Sequence, residues 1–410
     1  MRFDPGLLVK AAGPGRIRDA ALKTWRRARQ QPKRSGSVLR GSVRRNRSLH
    51  SRERRLVQEA LFGLVRTERG LSEILGTEAA FALWLGWLVL AGLEPDAAAA
   101  ELPGPWSDLS QEFEALGQGC APARRLALRH SLPDDLARRL VRSLGPGPAE
   151  AFLKASDARA PVTVRANRLR CDREALAARL AEEGIDTVPS KIAPDGLQIC
   201  GRHNLEAAQS FKDGWFEIQD EGSQALAALV EPEGAVIDFC AGAGGKSLAL
   251  AATGASVLAL DVRAGALDEL DRRATRAGAN IDVQRISAEG PLPDRVACRR
   301  VDQVLVDAPC SGSGVLRRHP EHRYLINRRS LSRQTSLQRS ILERACPLVA
   351  DGGRLIYGTC SVLREENDRV IESFLDAHPG WDLVVEPLRM APHTHGTDGF
   401  FGAVLQRPSC

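Results

Sequence analysis

Ala235-Val-Ile-Asp-Phe-Cys-Ala-Gly-Ala-Gly-Gly-Lys-Ser247 is the stretch on which the fold turns. Ala235 to Phe239 reads as a buried strand, Cys240 to Ser247 as a glycine-rich turn, and Lys246 to Ala252 as the opening of a helix. Working outward, the same alternation continues. Ser256 to Leu260 is a strand, Ala264 to Gly278 a helix, Gln303 to Val306 a short buried strand and Ser332 to Val349 a long helix. Gly353 to Tyr357 and Asn367 to Ala377 add a further strand and helix. Strands and helices in this order predict an α/β fold, a Rossmann-like doubly wound domain over 214–410 with a parallel sheet covered by helices on both faces.

Upstream the pattern changes. Pro161 to Asn167 and Gly196 to Cys200 read as strands flanking a helix at Arg173 to Glu183, a small α+β module over 149–213. Before it, apolar residues recur at three- and four-residue steps in Leu56, Ala60, Leu61, Leu64 and Val65, and again in Leu83, Leu85, Leu88 and Val89. Residues 1–148 therefore read as an all-helical N-terminal domain, closed by Gly145-Pro-Gly-Pro148. Ser51 has Arg54 three positions on, which is no capping box, so the helix beginning there rests on periodicity alone.

The charge is unevenly spread. Residues 1–70 hold 19 Lys+Arg against 5 Asp+Glu, a balance of +14, while the remaining 340 hold 38 against 46, a balance of −8. A basic end on a mildly acidic body suits a polyanion, because clustered Arg and Lys release counterions from phosphates. The competing reading is a solvated basic arm. Aromatics at 5% argue against an extended platform for stacking single-stranded bases. The longest apolar run, Ala79 to Leu93, is shorter than the ~20 residues of a membrane span and reads as a buried helix. No apolar stretch of secretory length follows the N-terminal basic residues, so a cytoplasmic protein is expected. Nine cysteines without a Cys-x-x-Cys pair or a zinc-spaced His/Cys cluster suggest reduced thiols, with no metal site.

Three ligands compete for the glycine turn. A triphosphate loop needs glycine five positions before Gly245, where this chain has Cys240; the dinucleotide pattern from Gly242 and Gly244 fails at Ser247. Asp238 closes the strand before the turn and Asp261 closes the next strand, where its carboxylate can take both ribose hydroxyls. A ribose and a cationic sulfonium without phosphate describe S-adenosylmethionine. The candidate cofactor residues are Cys240, Ala241, Gly242, Ala243, Gly244, Gly245, Lys246 and Asp261, with Asp307 from a later strand end.

Two cysteines fall beyond strand ends: Cys310 in Asp307-Ala-Pro-Cys310 and Cys360 in Tyr357-Gly-Thr-Cys360. Ligands of open α/β sheets bind there. Either thiol alone is readily a small core residue; two, both framed by turn residues, point to chemistry. Carbon 5 of a pyrimidine is a poor nucleophile, and a thiolate adding at carbon 6 turns the ring into an enamine that attacks a sulfonium methyl group. Asp307 could hydrogen-bond the ring nitrogen or the exocyclic amine. The base must be unstacked first.

With these residues in view, the chain resembles the Sun/Nop family of RNA cytosine-5 methyltransferases, and its RsmB-like bacterial members in particular. The resemblance rests on Pro161 to Asn167, Gln219-Asp-Glu-Gly-Ser-Gln224, the glycine turn, Val306 to Gly314, Arg318-His-Pro320, Thr359-Cys-Ser361 with Glu366-Asn367, and Asp398-Gly-Phe-Phe401. It implies that Cys360 is the nucleophile and that Cys310 assists release, whereas DNA cytosine-5 methyltransferases use the Pro-Cys position, here Cys310. It also implies that Lys246 and Asp307 line the cytosine pocket and Asp261 binds the ribose. Where the family often has Asp near the adenine this chain offers Ser287, and Tyr324 stands where Trp is common. The N-terminal domain resembles a NusB-like RNA-binding domain around Ser48 to Val57; Trp25, Arg26 and Arg27 are candidate RNA contacts, with Trp25 equally readable as a core residue of its helix. The expected protein is a monomeric ribosomal RNA methyltransferase with no membrane partner. A transfer-RNA methyltransferase, a non-catalytic ribosome-assembly factor and a DNA methyltransferase are the rivals.

Overall fold

In the computed structural model, residues 3–31, 35–232 and 234–409 are described. Two compact units emerge, one of Met1–Ala158 with Leu316–Ser330, the other of Arg159–Val315 with Leu331–Cys410.

The first unit is helical. Its longest helix, Ser51–Leu75, buries Leu56, Val57, Ala60, Leu61, Leu64 and Val65 on one stripe, as the spacing requires. The helix starts one position earlier than Ser51 suggests. His50 is the N-cap and Glu53, at the third helical position, accepts the His50 amide at 2.8 Å, so the acid that satisfies the helix start was masked by an unusual capping residue. The apolar run is the helix Ala80–Leu90, buried from Ala82 to Val89, with Trp84 Nε1 donating to the Ala11 carbonyl at 2.9 Å. No single described helix is long and apolar enough to cross a membrane. Some of the N-terminal cations are internally paired: Arg16 with Glu53, Arg18 with Glu101, Arg29 with Glu68 and Arg69 with Asp134. Trp25 is 2% exposed and belongs to the core, not to an RNA-facing surface.

Leu316–Ser330, expected within 214–410, belongs instead to this helical unit. Polar anchoring explains the difference. Buried Arg323 donates to the carbonyls of Pro320 and His130, Tyr324 donates its hydroxyl to Val65 O and Glu68, and Arg66 donates to Arg317 O. Hydropathy patterns carry no signal for such contacts.

The second unit holds two sheets. The smaller comprises β1 (Thr163–Ala166), β2 (Thr187–Pro189), β3 (Gly196–Ile199) and β4 (Phe216–Ile218) in the order β2-β3-β1-β4, antiparallel throughout. Helix Arg173–Glu182 packs Leu176 and Leu180 against Val164, Leu197 and Phe216. The larger contains β5 (Ala235–Asp238), β6 (Ser256–Asp261), β7 (Ile281–Arg285), β8 (Val301–Asp307), β9 (Val349–Thr359), β10 (Asp382–Leu383), β11 (Leu388–Met390) and β12 (Phe400–Gln406). Its order is β10-β12-β9-β8-β5-β6-β7, with β11 on β12.

Side chains alternate across this sheet. Ile237, Val304, Val306, Leu355 and Tyr357 face helices Arg328–Ala345 and Asp368–Ala377, while Val236, Leu305 and Ile356 face Leu250 and Ala251 of helix Gly245–Ala251. Both faces are therefore covered, as the strand–helix alternation predicts. The sheet is not wholly parallel: β12 runs antiparallel to β9, and β10 and β11 antiparallel to β12. These three strands follow the last long helix without a further crossover helix, so the chain returns in the opposite direction.

Candidate functional site

The parallel strands β6, β5, β8 and β9 lie side by side, and their carboxyl ends present Asp261, Asp238, Asp307 and Thr359 in one row. The glycine turn leaves β5. Gly242 and Gly244 have φ of 57° and 82°, and a Cβ on Gly244 would lie 2.5 Å from Leu270 Cγ, so glycine is required for the turn to close on its neighbouring helix. Asp261 accepts the Gly242 amide at 2.8 Å, the Arg263 amide at 2.8 Å and the Arg263 guanidinium. Burial alone would raise its carboxyl, but these donors hold it below its ordinary value. The guanidinium is 67% exposed, whereas Asp261 is 5% exposed, so the solvent-facing side of this pair is the arginine.

Lys246 decides between the competing ligands. In a triphosphate loop this lysine faces phosphate; here its Nζ is 2.6 Å from Asp307 Oδ2 and its side chain is buried. Burial would lower its pKa, yet Asp307 outweighs this and raises it, so it remains an ammonium. Asp238, 1% exposed, accepts the Ser247 hydroxyl at 2.7 Å on one oxygen, while the other has no partner among the described residues. Acids surround a glycine cradle whose lysine is already engaged. That donor set fits a cationic nucleoside and not a polyphosphate.

The two thiols meet. Cys310 lies three residues beyond β8 and Cys360 one beyond β9, with sulfurs 3.3 Å apart, both half-buried. Gly314 donates to the Cys360 carbonyl at 2.9 Å, and a Cβ on it would stand 2.2 Å from Gly399 O, which accounts for the glycine closing the Cys310 loop. Contact with Cys360, together with burial, pushes the Cys310 thiol well above its usual range, so Cys310 keeps its proton. Burial also pushes up the Cys240 thiol, an inert wall of the turn. Ser287 sits exposed beyond β7, its carbonyl accepting Arg344 at 3.0 Å.

Comparison with known proteins agrees with this geometry. The family described as 16S rRNA methyltransferase RsmB/F matches residues 225–406, and the RsmF/B-like ferredoxin-like domain matches residues 132–206. The ribosomal RNA small subunit methyltransferase B of Sodalis glossinidius is 31% identical over 87% of this chain and 90% of its own length. The probable enzyme of that name from Bacillus subtilis is 33% identical over 68% of this chain and 67% of its own. The chain belongs to the RsmB/F family of 16S rRNA methyltransferases. As a member it is an RNA methyltransferase dependent on S-adenosylmethionine. The fold is shared with NSun6 from Pyrococcus horikoshii, solved with the S-adenosylmethionine analogue SFG, at a TM-score of 0.61 and 19% identity over 68% of this chain and 99% of that one.

One organising residue of this RsmB/F methyltransferase was legible only as a motif letter. Glu366, fully buried, accepts the Ser311 amide at 2.7 Å, the Ser311 and Ser361 hydroxyls, and Gln338 Nε2 at 3.2 Å. It thereby ties the loop after Cys310 to the loop after Cys360. Asn367 reinforces it, accepting the Thr359 hydroxyl at 2.7 Å and donating to Ser361 O at 2.9 Å. A second grouping had no sequence signal at all: His319, Glu321 and His322 place ligand atoms within 4.8 Å of one another. Arg40 already donates to Glu321 at 3.0 Å and lies 3.4 Å from His319 Nδ1, which opposes a cation there.

Asp238 carries a pH signature. Burial pushes its carboxyl from near 3.8 to about 6 against the opposing Ser247 hydrogen bond. An acid whose folded-state pKa is raised favours the fold while protonated. That contribution is fully present below about pH 4 and is lost as pH rises through about 6. Urea denaturation of Asp238→Asn should lack it, so that the variant gains about 3 kcal/mol relative to the parent between pH 4 and pH 7. Parallel pH profiles for the two proteins would contradict the assignment.

Proposed function

We propose that this enzyme methylates carbon 5 of a cytosine in small-subunit ribosomal RNA through a covalent adduct on Cys360. The observation that carries the reading is the 3.3 Å contact between Cys310 and Cys360 at the ends of adjacent parallel strands, beside the Lys246–Asp307 pair. Bound S-adenosylmethionine, held by the glycine turn and Asp261, supplies the electrophilic methyl group that carbon 5 receives. The Cys360 thiolate forms a bond to carbon 6, and the ring π electrons move toward carbon 5. Asp307, oriented by Lys246, accepts a hydrogen bond from the exocyclic amine, and the ammonium offsets charge gathering on the ring. Loss of the carbon 5 proton to a base then restores the double bond as the carbon–sulfur bond breaks. Cys310, protonated and in contact with Cys360, returns a proton to the departing sulfur.

Substrate docking is assigned to the helical unit. Arg18, Lys23, Arg26 and Arg27 line a surface groove of about 850 Å³ with Leu22, Phe81 and Asp19, and Arg18 is also paired with Glu101. Such a groove suits RNA backbone read by shape. The free thiols suit a reducing compartment, the cytoplasm.

Bisulfite sequencing of RNA from cells lacking this chain tests the reading. One cytosine of the small-subunit RNA should lose its resistance to conversion. Loss at a transfer-RNA position instead would reassign the substrate, and unchanged resistance everywhere would refute cytosine-5 chemistry.

A further inference from the structure

β1 of the small sheet is buried along its whole length. Val164 and Ala166 enter the small module's core, while Thr163 and Arg165 point to the opposite side. Arginine at 5% exposure is costly unless its donors are met. Arg165 Nε donates to Gln219 Oε1 at 2.8 Å, just beyond β4, and burial lowers its pKa to about 10 despite nearby Glu217. The Gln219 amide in turn donates to Gly245 O and to the Ser223 hydroxyl, each at 3.2 Å. Glu217, 3% exposed on β4, accepts Arg273 at 2.9 Å and Arg276. Arg273 Nη1 then donates to Ala243 O at 2.6 Å.

Two carbonyls of the glycine turn, Ala243 and Gly245, are thus held by side chains whose orientation is set from the small module. The turn contains Gly242, Gly244 and Gly245, and glycine resists no alternative conformation by itself. We propose that Arg273 and Gln219 are positioning residues through which the small α+β module, acting from Glu217 and Arg165, fixes the donor-binding turn, so that the module is a structural part of the S-adenosylmethionine site. The proposal rests on the glycine turn being that site. Charge-assisted contacts with Glu217 hold Arg273 against the Ala243 carbonyl.

Isothermal titration of the full chain with S-adenosylmethionine tests this, with thermal unfolding of each variant alongside. Arg273→Ala and Gln219→Met should each weaken donor binding about tenfold. Arg273→Lys should recover part of the loss. Glu217→Gln combined with Arg273→Ala should be no weaker than Arg273→Ala alone, because the two act in series. In turnover assays the donor KM should rise while kcat at saturating donor is retained. Asp261→Ala serves as the control for the turn itself. Donor affinity within twofold of the parent in both Arg273→Ala and Gln219→Met, with binding lost in Asp261→Ala, would overturn the positioning role alone. Unchanged affinity in Asp261→Ala as well would overturn the assignment of the turn to the donor, and the proposal with it. Should Arg273→Ala fail to fold, Gln219→Met and Arg273→Lys decide, since both keep a cation at position 273 beside buried Glu217.

Discussion

Cys360→Ser should lose turnover by at least about a thousandfold and form no denaturant-resistant complex with RNA, because a serine hydroxyl does not supply an anionic nucleophile at neutral pH. Cys310→Ser should behave oppositely. The adduct on Cys360 still forms, but the proton donor 3.3 Å from its sulfur is replaced by a less acidic group, so protein–RNA adduct accumulates and release becomes limiting. Denaturing electrophoresis of each variant after incubation with RNA reads both outcomes. Accumulation with Cys360→Ser and none with Cys310→Ser would reverse the assignment and place the nucleophile in the Pro-Cys loop.

Asp307→Ala should cost both activity and stability. It strands the Lys246 ammonium, whose side chain is 9% exposed, and breaking a buried ion pair costs about 3–5 kcal/mol. Because Asp307 itself is 31% exposed, water recovers part of this and a loss of about 2 kcal/mol is expected in urea denaturation. Adding Lys246→Met should restore most of the stability without restoring activity, since no charge is then stranded but neither group remains to polarise the base. A double variant as unstable as Asp307→Ala would show that the pair does not account for the loss.

How much was readable in advance differs from residue to residue, for physical reasons. That Asp238, Asp261, Asp307 and the two cysteines lie together was legible because strand ends in a parallel sheet converge, so position along the chain maps onto position at the sheet edge. Glu366 was visible only as part of a motif, since its role depends on receiving donors from two loops, at Ser311 and Ser361, that are fifty residues apart in sequence. Arg273 gave no sign, lying on an ordinary amphipathic helix among other arginines. The basic N-terminal excess was real, but some of its charges are matched by acids of the helical unit, Arg18 by Glu101 among them, while Lys23, Arg26 and Arg27 stand with it around one groove.

Local pattern alone determined the alternating strands and helices, the glycine turn and the row of acids and thiols, because these follow from hydrophobic periodicity and from glycine's backbone freedom. Tertiary structure decided what periodicity cannot encode. It turned β12 antiparallel, drew Leu316–Ser330 into the helical unit through Arg323 and Tyr324, and brought Gln219 and the Glu217-bound Arg273 onto carbonyls of the glycine turn. Each of these depends on a buried polar group finding its partner far away in sequence, and that pairing exists only once the chain has folded.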